Sequence, residues 1–179
     1  MSYEQLWAPW RLGYIVGNTP KESEIEPELS WLEGADRDCF LCRSAADPGG
    51  IRSLTPWHGQ HVIVVLNRYP YASGHVLVAP RLHKARLHEL TSQEHLEAME
   101  TVTRLTVLLE RLMNCEGFNI GLNMGKVAGA GVPGHLHWHV VPRWSGDTNF
   151  MPVLANTNVI PQSLDALFEI LKKELQLSH

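Results

Sequence analysis

The sequence predicts an α+β domain built on an antiparallel sheet of about five strands, with one long helix and a second helix near the C-terminal end. Three observations point there. Four segments of strand length and character occur at 62–66, 75–79, 118–124 and 134–144. A single long run of helical spacing lies between them, and the elements follow the order strand, strand, helix, strand, strand, helix. A doubly wound sheet would alternate strand and helix throughout.

Taken in order, residues 1–35 carry Trp7, Pro9, Trp10, Tyr14 and Trp31 without clean periodicity and read as an N-terminal arm packed on the domain or on a partner. The main domain spans 36–155 and opens with a Cys-x-x-Cys knuckle, Cys39 to Cys42, before a Pro-Gly-Gly loop at 48–50. Val62 to Leu66, VIVVL, reads as a buried strand; Asn67 to Gly74 reads as the turn into a second strand, His75 to Ala79. The short link makes these an antiparallel hairpin. From Thr91 to Met113, apolar residues fall at 96, 99, 102, 105, 108, 109, 112 and 113, which is helical spacing. Thr91 and Glu94 form a capping box at its start. Gly117 is expected to end it. Phe118 to Met124 reads as a third strand, Gly125 to Gly134 as a glycine-rich loop, and GHLHWHVVPRW from Gly134 to Trp144 as a further strand. The last segment, 156–179, carries Leu164, Leu167, Phe168, Leu171 and Leu175 after Pro161, the spacing of a short amphipathic helix.

The chain has 179 residues, 44% hydrophobic and 19% charged, enough for one domain with a full core. A formal net charge of −4 leaves no overall basic surface for a nucleic-acid backbone, though a small phosphorylated ligand can still bind locally. No apolar run reaches membrane-spanning length, and the first residues lack a basic segment followed by an apolar one. Three cysteines, an odd number, argue against a secreted disulfide framework. The expectation is a cytoplasmic protein with no membrane partner.

Chemistry is concentrated in GHLHWHVVPRW. On a strand, His135, His137 and His139 lie on one face, roughly 6.6 Å apart, with Leu136, Trp138 and Val140 on the other. Three same-face imidazoles admit a metal site, nucleophilic catalysis in which one neutral ring attacks phosphorus, or a solvated strand rich in histidine by accident. The preceding loop bears on the choice. Gly125, Gly129 and Gly131 let backbone N–H groups approach phosphate oxygens with no Cβ in the way. Cys39 and Cys42 alone are compatible with a redox pair, half of a zinc site or two unrelated thiols.

Two motifs now stand together: His135-Leu-His137-Trp-His139-Val140-Val141, and NRYPYASGHVLVAP from Asn67 to Pro80. Residues 39 to 155 resemble the histidine-triad (HIT) family. LWAPWR, GFNIGLN, VPRW and GDTNFMPVL resemble its bacterial branch related to diadenosine tetraphosphate phosphorylases and hydrolases. The resemblance implies a HIT-like fold, a homodimer, and a nucleotidyl hydrolase or transferase that cleaves a dinucleoside polyphosphate or nucleotide conjugate at its α-phosphate. It implies His137 as the nucleophile of a covalent nucleotidyl-histidine intermediate and His139 as the contact to the α-phosphate or bridging oxygen. It further implies Asn67 at the ribose hydroxyls and Asn123 at the phosphate. Many family members carry a Gln four residues before the first histidine, where this chain has Gly131 in a loop one residue longer. Backbone amides near Gly129 and Gly131 would then take over, as in the phosphorylase-like branch. Water and phosphate both remain as acceptors. For the cysteines, the resemblance extends to galactose-1-phosphate uridylyltransferase and implies a structural zinc held by Cys39, Cys42, His83 and His135.

Two rivals come from other classes. A cupin-type enzyme would hold a catalytic metal on His137 and His139, but an obvious nearby glutamate and downstream histidine are missing from the sequence. A nucleotide-binding regulator would keep the fold without turnover. His75 is open between support for the site and ordinary packing, and Arg143 with Trp144 between shaping the phosphate end and capping the strand.

Overall fold

The computed structural model describes residues 29–47, 50–147 and 163–177. Most of the expected N-terminal arm, the Pro-Gly pair at 48–49, most of GDTNFMPVL and Pro161 therefore lie outside the described residues. The elements are α1 (Phe40–Ala46), β1 (Trp57–His58), β2 (Val62–Leu66), β3 (Val76–Pro80), α2 (Ser92–Met113), β4 (Gly117–Leu122), β5 (Trp138–Arg143) and α3 (Leu164–Leu177). The five strands form one antiparallel sheet in the order β1-β2-β3-β5-β4. The predicted α+β class and strand number hold.

β2 and β3 are buried at every position, which is why their sequences are continuous apolar runs rather than alternations. They pair from Val62 opposite Pro80 to Leu66 opposite Val76. The turn between them needs Gly74, whose φ is +77° and whose missing side chain leaves room for Met113 and Pro142. The fifth strand, β1, is two residues long, too short for a period-2 pattern to betray it.

α2 begins as its sequence dictates. Thr91 Oγ1 accepts from Glu94 N at 3.2 Å, and Glu94 Oε2 accepts from Thr91 N at 2.6 Å. Its end differs from expectation. Asn114 caps it in the left-handed region at φ 48°, and Gly117 already opens β4. The inward face also differs: Ala98, Thr101, Val102, Leu105, Leu108 and Leu109 are buried, whereas Leu96 and Met99 face outward. α3 buries Leu167, Phe168, Leu171 and Leu175 in the same core as β2 and β3. Arg104 of α2 fixes it by donating to the Leu175 carbonyl and lies 5.4 Å over the Trp57 ring. Of the arm, Trp31, Leu32 and Ala35 pack on the core.

The histidine segment needs a correction. Ladder pairing starts at Trp138, not at Gly134, so only His139 of the three histidines stands within β5. His135 and His137 precede it in a run anchored by Leu136 N donating to Lys84 O at 2.6 Å. Burial of His135 and His137 counts against the alternative of a solvated strand rich in histidine by accident.

Candidate active site and metal centre

The four residues expected to hold metal converge although 41 to 96 positions of chain separate the bonded pairs. Cys39 and Cys42 sit at the N-terminal end of α1, His83 follows β3, and His135 precedes β5. Their ligand atoms all lie within 4.8 Å of one another. Cys42 Sγ is 3.2 Å from His83 Nδ1 and 3.5 Å from His135 Nδ1, and Cys39 Sγ is 3.4 Å from His135 Nδ1. His135 Nε2 donates to the Pro80 carbonyl at 2.9 Å, leaving the Nδ1 lone pair facing the two sulfurs. Burial pushes the Cys42 thiol up to about 11, with Cys39 alongside adding to the rise. His135 is pulled down to about 4 by its burial, opposed by the bond to Pro80 and helped by His83 and His137. Gly134 keeps this corner narrow: a Cβ there would stand 3.1 Å from His83 Nε2.

The other two histidines face a different neighbourhood. His137 Nδ1 lies 2.8 Å from the His135 carbonyl and, as the only partner able to give a proton, donates to it. Its Nε2 therefore carries the lone pair. The ring of His139 is 5.0 Å from that of His137, centroid to centroid. Sequence reasoning left His75 open, and the structure hydrogen-bonds it to His139. Tyr71 N donates to His75 Nδ1 at 3.1 Å, so the His75 proton sits on Nε2 and is given to His139 Nδ1 at 2.9 Å. His139 is thereby left with its own N–H on Nε2. Burial, then His139 and His137, bring His75 down to about 3; burial, then His137, bring His139 to about 4. Both rings are neutral at physiological pH. Tyr71 stacks on His75 at 4.9 Å and is exposed toward solvent.

Asn67 lies at this end of the sheet, its Oδ1 accepting from Tyr69 N at 2.9 Å and its Nδ2 3.2 Å from His75 Nδ1. Asn123 is brought in by register. Leu122 pairs with Trp138 as the last rung of the ladder, and Asn123 and His137 are the next residues beyond it on the two segments. Gly121 pairs with His139, and a side chain there would meet open space. Gly129, at φ +84°, comes near Asn123, with 3.9 Å from its Cβ position to Asn123 Nδ2. Gly131 is exposed, and no atom lies within 4 Å of its Cβ position. Arg143 and Trp144 serve the blander of their two readings. Arg143 pairs with Asp147 and donates to Asn119 Oδ1 at 2.6 Å, and Trp144 Nε1 donates to the Met113 carbonyl.

Among the described residues, the Cys39, Cys42, His83 and His135 group is the one set of three or more metal-donor side chains this close together. His137 and His139 belong to no such set, and each has one nitrogen committed to a hydrogen bond. That geometry counts against the cupin-type rival.

Comparison with known proteins agrees with this architecture. The HIT domain model matches residues 55–146. An AP-4-A phosphorylase of Mycobacterium tuberculosis is 34% identical over 161 residues, covering 90% of this chain and 78% of that one. An asymmetrical bis(5'-nucleosyl)-tetraphosphatase of Schizosaccharomyces pombe is 35% identical over 82 residues, covering 46% of this chain and 44% of its own. The crystal structure of the Caenorhabditis elegans NitFhit protein superposes with a TM-score of 0.56 at 28% identity, over 66% of this chain and 26% of that one. The match over half the chain, with a relative this similar along nearly all of it, shows that the chain belongs to the HIT domain family.

Proposed function

We propose that this chain is a nucleotidyl hydrolase or transferase that cleaves dinucleoside polyphosphates, of the diadenosine tetraphosphate kind, or related nucleotide conjugates at the α-phosphate. One observation carries the reading: the bond from His137 Nδ1 to the His135 carbonyl leaves Nε2 free of any bonded partner among the described residues to act as the nucleophile beside a second imidazole. The names of the M. tuberculosis and S. pombe relatives supply the substrate class.

In the first step His137 Nε2 attacks the α-phosphorus, a P–N bond forms, and the P–O bond to the leaving polyphosphate breaks with its electron pair. His139, neutral with its N–H on Nε2, donates to the bridging or a non-bridging oxygen as negative charge builds. Asn123, which like His137 is the next residue beyond the last rung, and backbone amides near Gly129 and Gly131 hold phosphate oxygens, while Asn67 meets the ribose hydroxyls. In the second step water attacks the nucleotidyl-histidine, the P–N bond breaks, and a nucleoside monophosphate leaves. Inorganic phosphate in place of water yields the diphosphate, an outcome favoured by the phosphorylase name of the M. tuberculosis relative.

Cys39, Cys42, His83 and His135 suit a structural zinc. Two thiols and two imidazoles within 4.8 Å match the donor set of a closed tetrahedral site, and a bound cation would offset the burial that holds the Cys42 thiol up at about 11. Zinc there supplies no reaction step; it pins three chain segments beside His137. The partner we infer is a second copy, joined along β4. That strand is the sheet's edge and exposes Ile120, with Met124 just beyond it, an apolar edge that sedimentation as a dimer would account for. Three unpaired thiols support a cytoplasmic site of action, and the acidic net charge one without a nucleic-acid partner.

The test is incubation with labelled diadenosine tetraphosphate, with and without phosphate, followed by product identification. Nucleoside monophosphate or diphosphate is expected, with an acid-labile adduct on the wild type and none on His137→Ala. Full turnover by His137→Ala would remove the nucleophile assignment.

A further inference from the structure

The cation Arg86 lies beside the glycine loop, where nothing in the chemistry above uses it. Its Nη1 is 3.6 Å from the Cβ position of Gly125, a residue at φ +86° where the chain leaves the region of β4 for the loop. Gly125 comes two residues after Asn123, which like His137 is the next residue beyond the β4–β5 ladder. The side chain reaches the loop because the segment after His83 runs alongside the histidine segment, held by the Leu136 N to Lys84 O bond.

The Arg86 guanidinium feels the charge of Glu89 without being bonded to it. Its nearest sequence acid, Glu89, turns its carboxylate back to accept from Ala85 N at 2.7 Å and Arg86 N at 3.0 Å. Among the described residues no carboxylate is bonded to the Arg86 guanidinium. The loop adds Lys126, and residues 123–136 contain no Asp or Glu. A protein of net charge −4 therefore brings two cations, Arg86 and Lys126, to the mouth of a loop that has no acidic residue of its own. Such a mouth suits an anion with several phosphates, and an Arg fork suits one phosphate bidentately.

We propose that Arg86, resting on the proposed function above, is a specificity-determining residue that binds the phosphates beyond the α-phosphate, on the leaving side of the bond that breaks. With the α-phosphate at His137 and Asn123, the polyphosphate runs past Gly125 to the guanidinium. The residue selects leaving groups by charge and length and takes no part in the P–N chemistry.

The experiment compares two substrates in wild type and Arg86→Gln: diadenosine tetraphosphate, and an aryl ester of adenosine monophosphate, which has the α-phosphate and no phosphate beyond it. The expected result is that the ratio of kcat/KM for the tetraphosphate to that for the ester falls roughly tenfold or more, the size of one lost charge-assisted hydrogen bond. Arg86→Lys should recover part of the ratio. An unchanged ratio in Arg86→Gln, with both substrates cleaved, overturns the assignment of Arg86 alone. A wild type that cleaves neither substrate overturns the proposed function and this inference together.

Discussion

At the scale of single residues, the directions of a few hydrogen bonds make chemically identical side chains unequal. His135, His137 and His139 each commit one nitrogen to a different partner: the Pro80 carbonyl, the His135 carbonyl and His75. One ring thus turns Nδ1 to the thiols, one keeps Nε2 without a bonded partner among the described residues, and one receives the His75 proton at Nδ1. The His139 assignment depends on a chain of donors starting at Tyr71 N, so breaking it should alter chemistry more than binding. His75→Leu removes the donor to His139 Nδ1, and kcat is expected to fall about tenfold, the worth of one buried hydrogen bond, with KM little changed. His75→Gln, which keeps an N–H donor, should recover part of the loss; equal kcat in the two variants would remove the positioning role. The same pair sets a pH dependence. Their folded pKa values, about 3 and about 4, lie below the ordinary histidine value, so the unfolded chain takes up protons first as pH falls. The stability they contribute is complete above about pH 6.5 and is lost progressively on the way down to about 3. The thermal midpoint should drop across that window and drop less steeply in His75→Leu. The convergence of Cys39, Cys42, His83 and His135 was legible through family resemblance, because the motifs mark those positions. The His75 relay was not, because it depends on proton placement between rings 64 residues apart in sequence.

At the scale of elements, the link between α2 and the site runs through one buried carboxylate. Glu94 accepts from Thr91 N within the capping box and also takes Lys84 Nζ at 2.7 Å, while the Lys84 carbonyl anchors Leu136 between two functional histidines. Hydrogen bonds from Lys84 and Thr91 lower the Glu94 pKa against the opposing effect of its burial. Thr91→Ala loses only the cap, about 1 kcal/mol. Glu94→Ala leaves Lys84 half-buried without its partner and should cost about 3 kcal/mol, measured as a shift in denaturant midpoint. Equal losses in the two variants would mean that the ion pair adds nothing. The capping box was readable because its pattern is local, and β2 because an all-apolar run of five has few alternatives. The facing of Leu96 and Met99 was not, since helical periodicity counts apolar residues without knowing which stripe meets the sheet. α1 and β1, seven and two residues long, are fixed by tertiary contacts rather than by a pattern of their own.

At the scale of the whole molecule, the sheet order sets β3 and β5 side by side in the middle, so the segment after one and the segment before the other emerge together at one end. His83 and His135 leave the sheet there, and α1 brings Cys39 and Cys42 up against them. The candidate metal centre is thus a clasp across segments about 40 to 95 residues apart, and His135 touches it through its ring and His137 through its carbonyl. A cation held at the ring should therefore be felt at His137, two residues on. Stripping the metal with a chelator is expected to lower the thermal midpoint, because the unfolded chain regains the freedom of the closed loops and the two buried thiols lose their compensation. It should also lower kcat, since the carbonyl that fixes the His137 tautomer is no longer held from the other side. Cys42→Ser should reproduce both losses without chelator and bind less zinc, and chelation should then add nothing further. Full zinc content in Cys42→Ser would refute the four-residue clasp. A lower midpoint with unchanged kcat would leave it purely structural and break the proposed link from metal to nucleophile.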